Sequence, residues 1–203
     1  DYGKIAQHPK PFIGFSDMTL LLQAIAKSCG FVTYHGPVFW NFTIPHDSRT
    51  EADLLAVVGG AKQKSALHFK GTKCVRAGRA EGVLVGGNTT LLQHLIGTPW
   101  DWSGKGAVLF IEDLDEPLYR VDRTLNHLRL AGKFEGIRAV VVGEMVDIRD
   151  DKPRYGRDLR QILLDVLPPG IPLCMDFPCG HGKYLTTLPV GAPWWATTAA
   201  VGV

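Results

Sequence analysis

Short apolar segments alternate with helical segments along almost the whole chain, and this alternation limits the fold more than any other feature. Two of the apolar segments, 107–111 and 139–142, contain only alanine, valine, leucine, isoleucine and phenylalanine. Unbroken apolar segments of this kind are typical of parallel strands that are covered on both faces. The alternation therefore predicts an α/β fold.

The elements follow from apolar periodicity and from the positions of glycine and capping residues. Predicted strands cover 11–14, 31–34, 82–88, 106–111, 137–146, 171–176, 186–190 and 196–201. Predicted helices cover 17–28, 47–58, 89–96, 119–131 and 156–166. A polar connection separates the first elements from the rest, and we predict two domains that span 1–69 and 70–203.

Ser16 lies where the first predicted strand breaks at Gly14 and passes directly into a helix. A side chain on such a turn projects into open space beside the first free N–H groups of the helix, as a nucleophilic serine requires. A plain helix cap is the alternative, because serine followed by aspartate before a helix is a common capping sequence. The nucleophile-elbow pattern G-x-S-x-G is only half matched, so Ser16 needs partners elsewhere in the chain.

A nucleophilic serine needs a base and a group that orients the base, and two residues at predicted strand ends are candidates. Glu112 follows the strand 106–111. The alternative is that Glu112 is only one member of a solvated acidic surface loop. His181 lies between two glycines after the strand 171–176, where the backbone can bend and expose the imidazole; a structural turn histidine is the alternative. The order Ser, Glu, His is that of α/β-hydrolases.

Composition excludes several other classes of function. The formal net charge is only +2 and has no basic block behind it, so we expect no nucleic-acid partner. The longest apolar segments are far too short to span a membrane and the sequence opens without a leader, so we expect a cytoplasmic location and no membrane contact. Seven histidines are dispersed without an H-x-x-x-H pattern, and the four cysteines without C-x-x-C, so we expect no metal and no cofactor.

Several motifs together resemble those of the LD-carboxypeptidases, which include the murein tetrapeptide carboxypeptidases and the related microcin C self-immunity hydrolases. The motifs are GFSDMT at 14–19, HGP at 35–37, EGVLVGGN at 81–88, LFIED at 109–113 with YRVDR at 119–123, and GHG at 180–182. They occur in the family's order and cover nearly the whole chain. The combination is much more specific than any single motif.

The resemblance implies a flavodoxin-like N-terminal domain that carries the serine and a distinct α/β C-terminal domain that carries the glutamate and the histidine. It implies Ser16 as nucleophile, Glu112 as orienting carboxylate and His181 as general base, in a site between the domains. Family members have a further N-terminal segment, so we expect the N-terminal domain of this sequence to lack its first strands. The resemblance also implies a homodimer.

The implied substrate is a murein tetrapeptide, cleaved at the amide between the L-centre of its diamino acid and the terminal D-alanine. We expect the backbone N–H of Asp17 to donate to the oxyanion. From motif position, Gly87 and Asn88 are expected to form one wall of the cleft and His35 to line the other side. Arg120 either binds the substrate carboxylate or pairs with an acidic neighbour on its helix.

Two other functions remain open at this point. Relatives of the microcin type cleave an acyl or peptidyl adenylate, and an aromatic side chain such as Trp100 or Trp102 would then stack on adenine. A non-catalytic ligand-binding module, in which Ser16 only caps a helix, is the second alternative. Loss of turnover with retained ligand affinity in a Ser16→Ala variant separates an enzyme from a binding module.

Overall fold

The structure is a computed structural model that describes residues 1–60 and 71–198, and its helices and strands alternate as the sequence predicts. The helices are α1 (Tyr2–Gln7), α2 (Met18–Cys29), α3 (Arg49–Val58), α4 (Thr89–His94), α5 (Leu118–Leu130) and α6 (Leu159–Val166), with a 3₁₀ helix at Phe39–Phe42. The strands are β1 (Ile13–Gly14), β2 (Thr33–His35), β3 (Lys73–Arg76), β4 (Gly78–Asn88), β5 (Ala107–Leu114), β6 (Ala139–Val146), β7 (Leu173–Met175), β8 (Leu188–Val190) and β9 (Pro193–Thr198). The α/β prediction is confirmed.

A six-stranded sheet with the order β3-β7-β6-β5-β4-β9 forms the larger part of the fold. Its four inner strands are parallel, and both edge strands run antiparallel to their neighbours. The carboxyl ends of the inner strands therefore meet at one edge of the sheet, where ligands usually bind in open α/β sheets. β3 lies within a segment that the sequence indicates only as a polar connection.

Both faces of this sheet are covered, as the apolar segments predict. Leu109 and Ile111 of β5 pack into a core with α4, α5 and α6, whereas Val108 and Phe110 pack into a second core on the opposite face. All four side chains are at most 1% exposed. β5 is therefore a central strand, and a residue at its carboxyl end is held by a rigid framework.

A smaller sheet has the order β1-β2-β8 and carries the turn that contains Ser16. β1 and β2 are parallel and joined by α2, which confirms the predicted β-α-β unit. β8 comes from late in the chain and pairs antiparallel with β2, so the smaller sheet combines strands from both ends of the sequence. The predicted domain boundary at 69/70 lies outside the described residues.

A break in the register between β5 and β6 affects the residues at their carboxyl ends. Ile111 pairs with Val142 and Asp113 pairs with Met145, so that Glu112 alone faces two residues of β6. Such a bulge bends a strand and changes the direction of its side chains.

Within residues 1–60 and 71–198, none of the helices has the length and apolarity that a membrane span requires.

Candidate active site

Ser16 lies on the tight turn between β1 and α2. Its φ angle is +55°, in the left-handed region that residues other than glycine rarely adopt. The turn is closed by hydrogen bonds from the N–H of Met18 to the Phe15 carbonyl (3.1 Å) and from the N–H of Thr19 to the Ser16 carbonyl (2.9 Å). A strained residue on a strand-to-helix turn is the backbone geometry of a nucleophile elbow.

Gly14 allows the first turn of α2 to approach β1 closely. A Cβ atom added at Gly14 would lie 2.6 Å from the Cβ of Met18, which is too close for any side chain. Glycine at this position is therefore required by the packing of the turn that carries Ser16.

Helix α2 is docked on the larger sheet by two buried hydrogen bonds. The Asn88 N–H donates to the Thr19 hydroxyl at 3.1 Å, and the Gln23 side-chain amide donates to the Gly86 carbonyl at 2.8 Å. A Cβ atom at Gly87 would lie 2.6 Å from the Thr19 side chain, so glycine is needed there for contact with the helix. These contacts fix the Ser16 turn relative to the carboxyl end of β4.

Glu112 and His181 form a direct pair. His181 Nδ1 lies 2.8 Å from Glu112 Oε2, and the glutamate side chain is completely buried whereas the histidine side chain is 14% exposed. A carboxylate on Nδ1 requires a proton on that nitrogen and leaves Nε2 free to exchange a proton with another group. The prediction placed Glu112 just after its strand; the structure includes it in β5, at the bulge.

The Phe15 ring connects this pair with the Ser16 turn. Its centroid is 5.1 Å from the centroid of the His181 imidazole, with the two rings tilted by 59°. Phe15 directly precedes Ser16 in the turn. The structure thus brings together, at one location, the neighbourhood of the predicted nucleophile and the pair formed by the two other predicted residues.

Burial raises the pKa of Glu112, and the hydrogen bond from His181 opposes this shift. A carboxylate in an apolar strand environment has lost most of its hydration, so its charge depends on the imidazole for stabilisation. This dependence ties the ring orientation of His181 closely to Glu112.

Glu144 is a third member of the site, and the sequence analysis missed it. Its carboxylate accepts a hydrogen bond from the Gly182 N–H at 2.7 Å, and its own N–H donates to the Cys179 carbonyl at 2.9 Å. Glu144 therefore holds both sides of the turn that carries His181. A charged residue near the end of an apolar strand, in VVVGEM at 140–145, was the available signal.

The glycines on both sides of His181 are explained by the two carboxylates. A Cβ atom at Gly182 would lie 2.0 Å from Glu144 Oε1, and one at Gly180 would lie 3.3 Å from Glu112 Oε2. Gly180 also has a φ angle of +144°. The GHG sequence thus allows the turn to pass close to two acidic side chains.

Two other predicted site residues, Asn88 and Asp17, differ in exposure. Asn88 is 2% exposed; it caps α4 through Leu91 and donates to Asp113 Oδ1 at 2.9 Å. Asp17 is exposed at the start of α2, and its side chain makes no capping bond. It stays a prediction that Asn88, Asp17 and Gly87 contact a substrate. The role of the Asp17 N–H as oxyanion donor also stays a prediction.

His35 is completely buried beneath the site. Its ring packs edge-on against Phe110, with the centroids 5.1 Å apart, and neither ring nitrogen has a partner among the described residues. Burial, and secondarily the charge of His181, lowers the pKa of His35 to about 3. The imidazole is therefore neutral over the whole physiological range.

Arg120 and the two tryptophans have contacts away from the Glu112–His181 pair. Arg120 Nε lies 3.1 Å from Glu116 Oε2, the pairing along the helix that was the alternative to carboxylate binding. Trp102 is 5% exposed in the main core and donates to the Leu92 carbonyl. Trp100 packs against the same core.

Comparison with known proteins identifies the class to which this fold and site belong. Residues 81–194 match the model of the LD-carboxypeptidase C-terminal domain, and residues 1–36 match that of the LD-carboxypeptidase N-terminal domain. The chain belongs to the LD-carboxypeptidase family.

Individual relatives agree with this assignment. The chain is 34% identical to a probable murein peptide carboxypeptidase of Bacillus subtilis, over 98% of this chain and 63% of the relative. It is 26% identical to the microcin C7 self-immunity protein MccF of Escherichia coli, over 94% of this chain and 64% of that protein. The crystal structure of a muramoyltetrapeptide carboxypeptidase from Oxalobacter formigenes is similar with a TM-score of 0.81 and 31% identity, over 98% of this chain and 69% of that structure. The chain thus spans less than two thirds of both curated relatives.

Proposed function

We propose that this chain acts as a serine peptidase that releases the terminal D-alanine from a murein tetrapeptide, with Ser16, Glu112 and His181 as its triad. The observation that carries the proposal is the 2.8 Å hydrogen bond between Glu112 and His181, next to the turn of Ser16. The names of the relatives from Bacillus subtilis and Oxalobacter formigenes support the substrate. The proposal includes a cytoplasmic location and a homodimer.

In the first half of the reaction, the Ser16 hydroxyl attacks the carbonyl carbon of the scissile amide. His181 Nε2 accepts the hydroxyl proton, and Glu112 stabilises the imidazolium that forms. The N–H of Asp17, at the start of α2, donates to the developing oxyanion. Collapse of the tetrahedral intermediate breaks the C–N bond, and His181 gives its proton to the leaving amine of D-alanine.

In the second half, water repeats the same steps on the acyl-enzyme. His181 takes a proton from the water, the hydroxide attacks the ester carbonyl, and the proton returns to the Ser16 oxygen as the tripeptide leaves. The imidazole must therefore face the serine, the leaving amine and the water in turn. A ring that is anchored through Nδ1 by a buried carboxylate can keep Nε2 at one position throughout.

Release of D-alanine from L-Ala-D-Glu-diaminopimelate-D-Ala tests this proposal. We expect the unaltered chain to release it, and Ser16→Ala and His181→Ala each to lower kcat by about 10³-fold or more without loss of folding. Ser28→Ala and His8→Ala are matched controls at exposed positions and should retain full activity. A folded chain that releases no D-alanine, or a Ser16→Ala variant with normal turnover, would contradict the proposal.

Hydrolysis of an aminoacyl or peptidyl adenylate is the second candidate, supported by the similarity to MccF. An aminoacyl sulfamoyl adenosine in the same assay distinguishes the two. We expect this compound to inhibit D-alanine release weakly, because neither Trp100 nor Trp102 contacts the Glu112–His181 pair. Cleavage of the adenosine compound in preference to the tetrapeptide would reverse the assignment.

A further inference from the structure

A small cavity of about 190 Å³ opens directly beside His181. The loop after the 3₁₀ helix borders it on one side, and the segment that follows His181 borders it on the other. The lining residues are Asn41, Ile44, Pro45, His46, Thr50, His181, Gly182, Lys183 and Leu185. Since His181 is part of the lining, a group bound there lies close to the proposed base.

The proposed reaction requires the leaving group to occupy such a position. A general acid must lie within hydrogen-bond distance of the atom that it protonates, so the amine of the leaving D-alanine has to lie beside His181. Arg120, a candidate for the substrate carboxylate in the sequence, is paired with Glu116 instead. The free carboxylate of the leaving residue needs a different partner.

The polar residues of the cavity suit an anion. Lys183 is an exposed residue of the lining and carries an ammonium group. The Asn41 side-chain oxygen accepts from the Val38 N–H at 2.8 Å, which leaves the NH₂ group of Asn41 as a donor. His46 Nδ1 lies 2.9 Å from the Ile44 carbonyl oxygen. None of the described residues that line the cavity carries a carboxylate.

Three acidic side chains lie next to the lining, and each has a partner. Glu112 pairs with His181, Glu144 accepts from the Gly182 N–H, and Asp47 pairs with Arg49. Arg49 donates to both carboxylate oxygens of Asp47, from its guanidinium and from its backbone N–H. These bonds lower the pKa of Asp47 to about 2, so its charge is permanent but paired. The ammonium of Lys183 has no acidic partner among the described residues, so it remains available to an anion in the cavity.

The remaining lining is apolar and small. Ile44, Pro45 and Leu185 present hydrocarbon groups, which suit a methyl side chain better than a polar or long one. A cavity with a cation, an amide donor and a short apolar wall matches a free alanine in its three parts: amine beside the base, carboxylate and methyl group.

We propose that this cavity is the subsite for the leaving D-amino acid, and that Lys183 and Asn41 bind its free carboxylate. The inference rests on the proposed function, because it takes its substrate from that reaction. It assigns specificity for a free carboxyl terminus to two residues outside the catalytic triad. A neutral carboxamide would lose the charge-assisted bond to the ammonium and leave that ammonium unpaired.

Binding in a Ser16→Ala background tests the subsite without turnover. We expect calorimetry to show that the tetrapeptide acid binds about 10-fold or more tightly than the same peptide with a C-terminal carboxamide. Lys183→Met should remove most of this preference by weakening the acid alone. Lys105→Met, an exposed lysine at the opposite edge of the sheet, is the matched control and should keep it. Equal affinities for acid and amide in the Ser16→Ala protein would overturn the proposal.

A second variant tests whether the effect of Lys183→Met comes only from the removal of a surface charge. Asn41→Asp retains the oxygen that accepts from the Val38 N–H but replaces the NH₂ donor with a negative oxygen. We expect this variant to bind the acid at least as poorly as Lys183→Met while its affinity for the amide stays within about 2-fold. An unchanged affinity for the acid would show that Asn41 takes no part.

Titration with D-alanine separates failure of the subsite from failure of the proposed function. We expect D-alanine, but not D-alaninamide, to shift the side-chain NMR signals of Asn41 in the unaltered chain, and Lys183→Met to abolish the shift. If the tetrapeptide is not hydrolysed but this response occurs, the subsite stands and the proposed function fails. If hydrolysis occurs and D-alanine gives no response at millimolar concentration, the subsite alone is wrong.

Discussion

The two sides of the candidate site are held in place by different means. On one side, Glu112 and Glu144 extend from long parallel strands whose inner residues are completely buried. On the other side, Ser16 follows a strand of only two residues and has a φ angle of +55°. The base side is fixed by the core of the larger sheet, whereas the serine side has little sheet of its own.

This difference makes the serine side dependent on the larger sheet. The Thr19 hydroxyl, in the first turn of α2, accepts a hydrogen bond from a backbone N–H of β4. The Gln23 side-chain amide, one turn later, donates to a backbone carbonyl of β4. A backbone conformation that costs roughly 1–3 kcal/mol persists only where surrounding contacts determine it. We infer that the geometry between nucleophile and base depends on the contact between α2 and β4. Substitutions on the two sides should therefore have different effects on turnover and stability.

Among residues that hold the two sides in place, the larger effect is expected on the base side, from Glu144. Glu144→Ala removes the acceptor of the Gly182 N–H and should lower kcat by about 10–100-fold, since the turn that carries His181 loses one of its two anchors. KM should change by less than about 3-fold if Glu144 acts only by positioning the turn that carries His181. Steady-state kinetics of D-alanine release measure both constants.

Glu144→Gln is the matched variant, because its amide oxygen can still accept from the Gly182 N–H. We expect it to restore kcat to within about 3-fold of the unaltered chain. Equal losses in the alanine and glutamine variants would show that the negative charge matters and not the hydrogen bond. A raised KM with unchanged kcat would place Glu144 in substrate binding and contradict a positioning role.

A smaller effect is expected on the serine side, from Thr19→Val. The substitution preserves shape but leaves the buried Asn88 N–H without its acceptor, which costs about 1–3 kcal/mol of unfolding free energy. Because the Ser16 turn would also be held less firmly, kcat should fall by roughly 3–10-fold. Urea denaturation measures the loss of stability, and turnover assays measure the loss of kcat.

Thr19→Ser retains the hydroxyl and should recover most of the loss in both measurements. A Thr19→Val protein that is destabilised but fully active would mean that the Ser16 turn holds its conformation without α2 docking. That result would remove the dependence of the serine side on the larger sheet.

Most of the fold could be predicted from periodicity because its elements have strong apolar faces. The helix predicted at 17–28 is observed at Met18–Cys29, and the segments 107–111 and 139–142 form buried parallel strands. Helix α1 escaped prediction because it has only six residues and none of them is buried, so its periodicity is too short to recognise. β3 escaped prediction because it is a short edge strand with charged residues at both ends, a common composition for sheet edges.

The candidate site could be predicted only where it depends on local chain geometry. A strand end followed by a turn located Ser16, Glu112 and His181. Glu144 also lies near a strand end, but its role depends on the register break between β5 and β6 and on a contact 38 residues along the chain, which no local pattern shows. The predicted wall residue His35 proved to be buried, since a strand end in a small sheet can face inward.

A pH-dependent effect on stability is expected between the two sides, where His35 is buried at the junction. Its pKa is lowered by burial from 6.5 to about 3, so between these values the unfolded chain binds a proton that the folded chain does not. Stability from this residue is complete above pH 6.5 and falls as the pH decreases, by about 1.4 kcal/mol per pH unit. His35→Leu should remove this part of the acid sensitivity.

The comparison must isolate His35 from the carboxyl groups, because burial raises the pKa of Glu112 and contributes with the opposite sign. That contribution is nearly common to both proteins, so it largely cancels in the difference between the unfolding free energies of His35→Leu and the unaltered chain. The difference should increase steadily from pH 6.5 towards pH 4, whereas His8→Leu, at an exposed position, should give a constant difference. A constant difference for His35→Leu as well would mean that the imidazole is protonated in the folded chain, and that water or a substrate group reaches the ring between the two sheets.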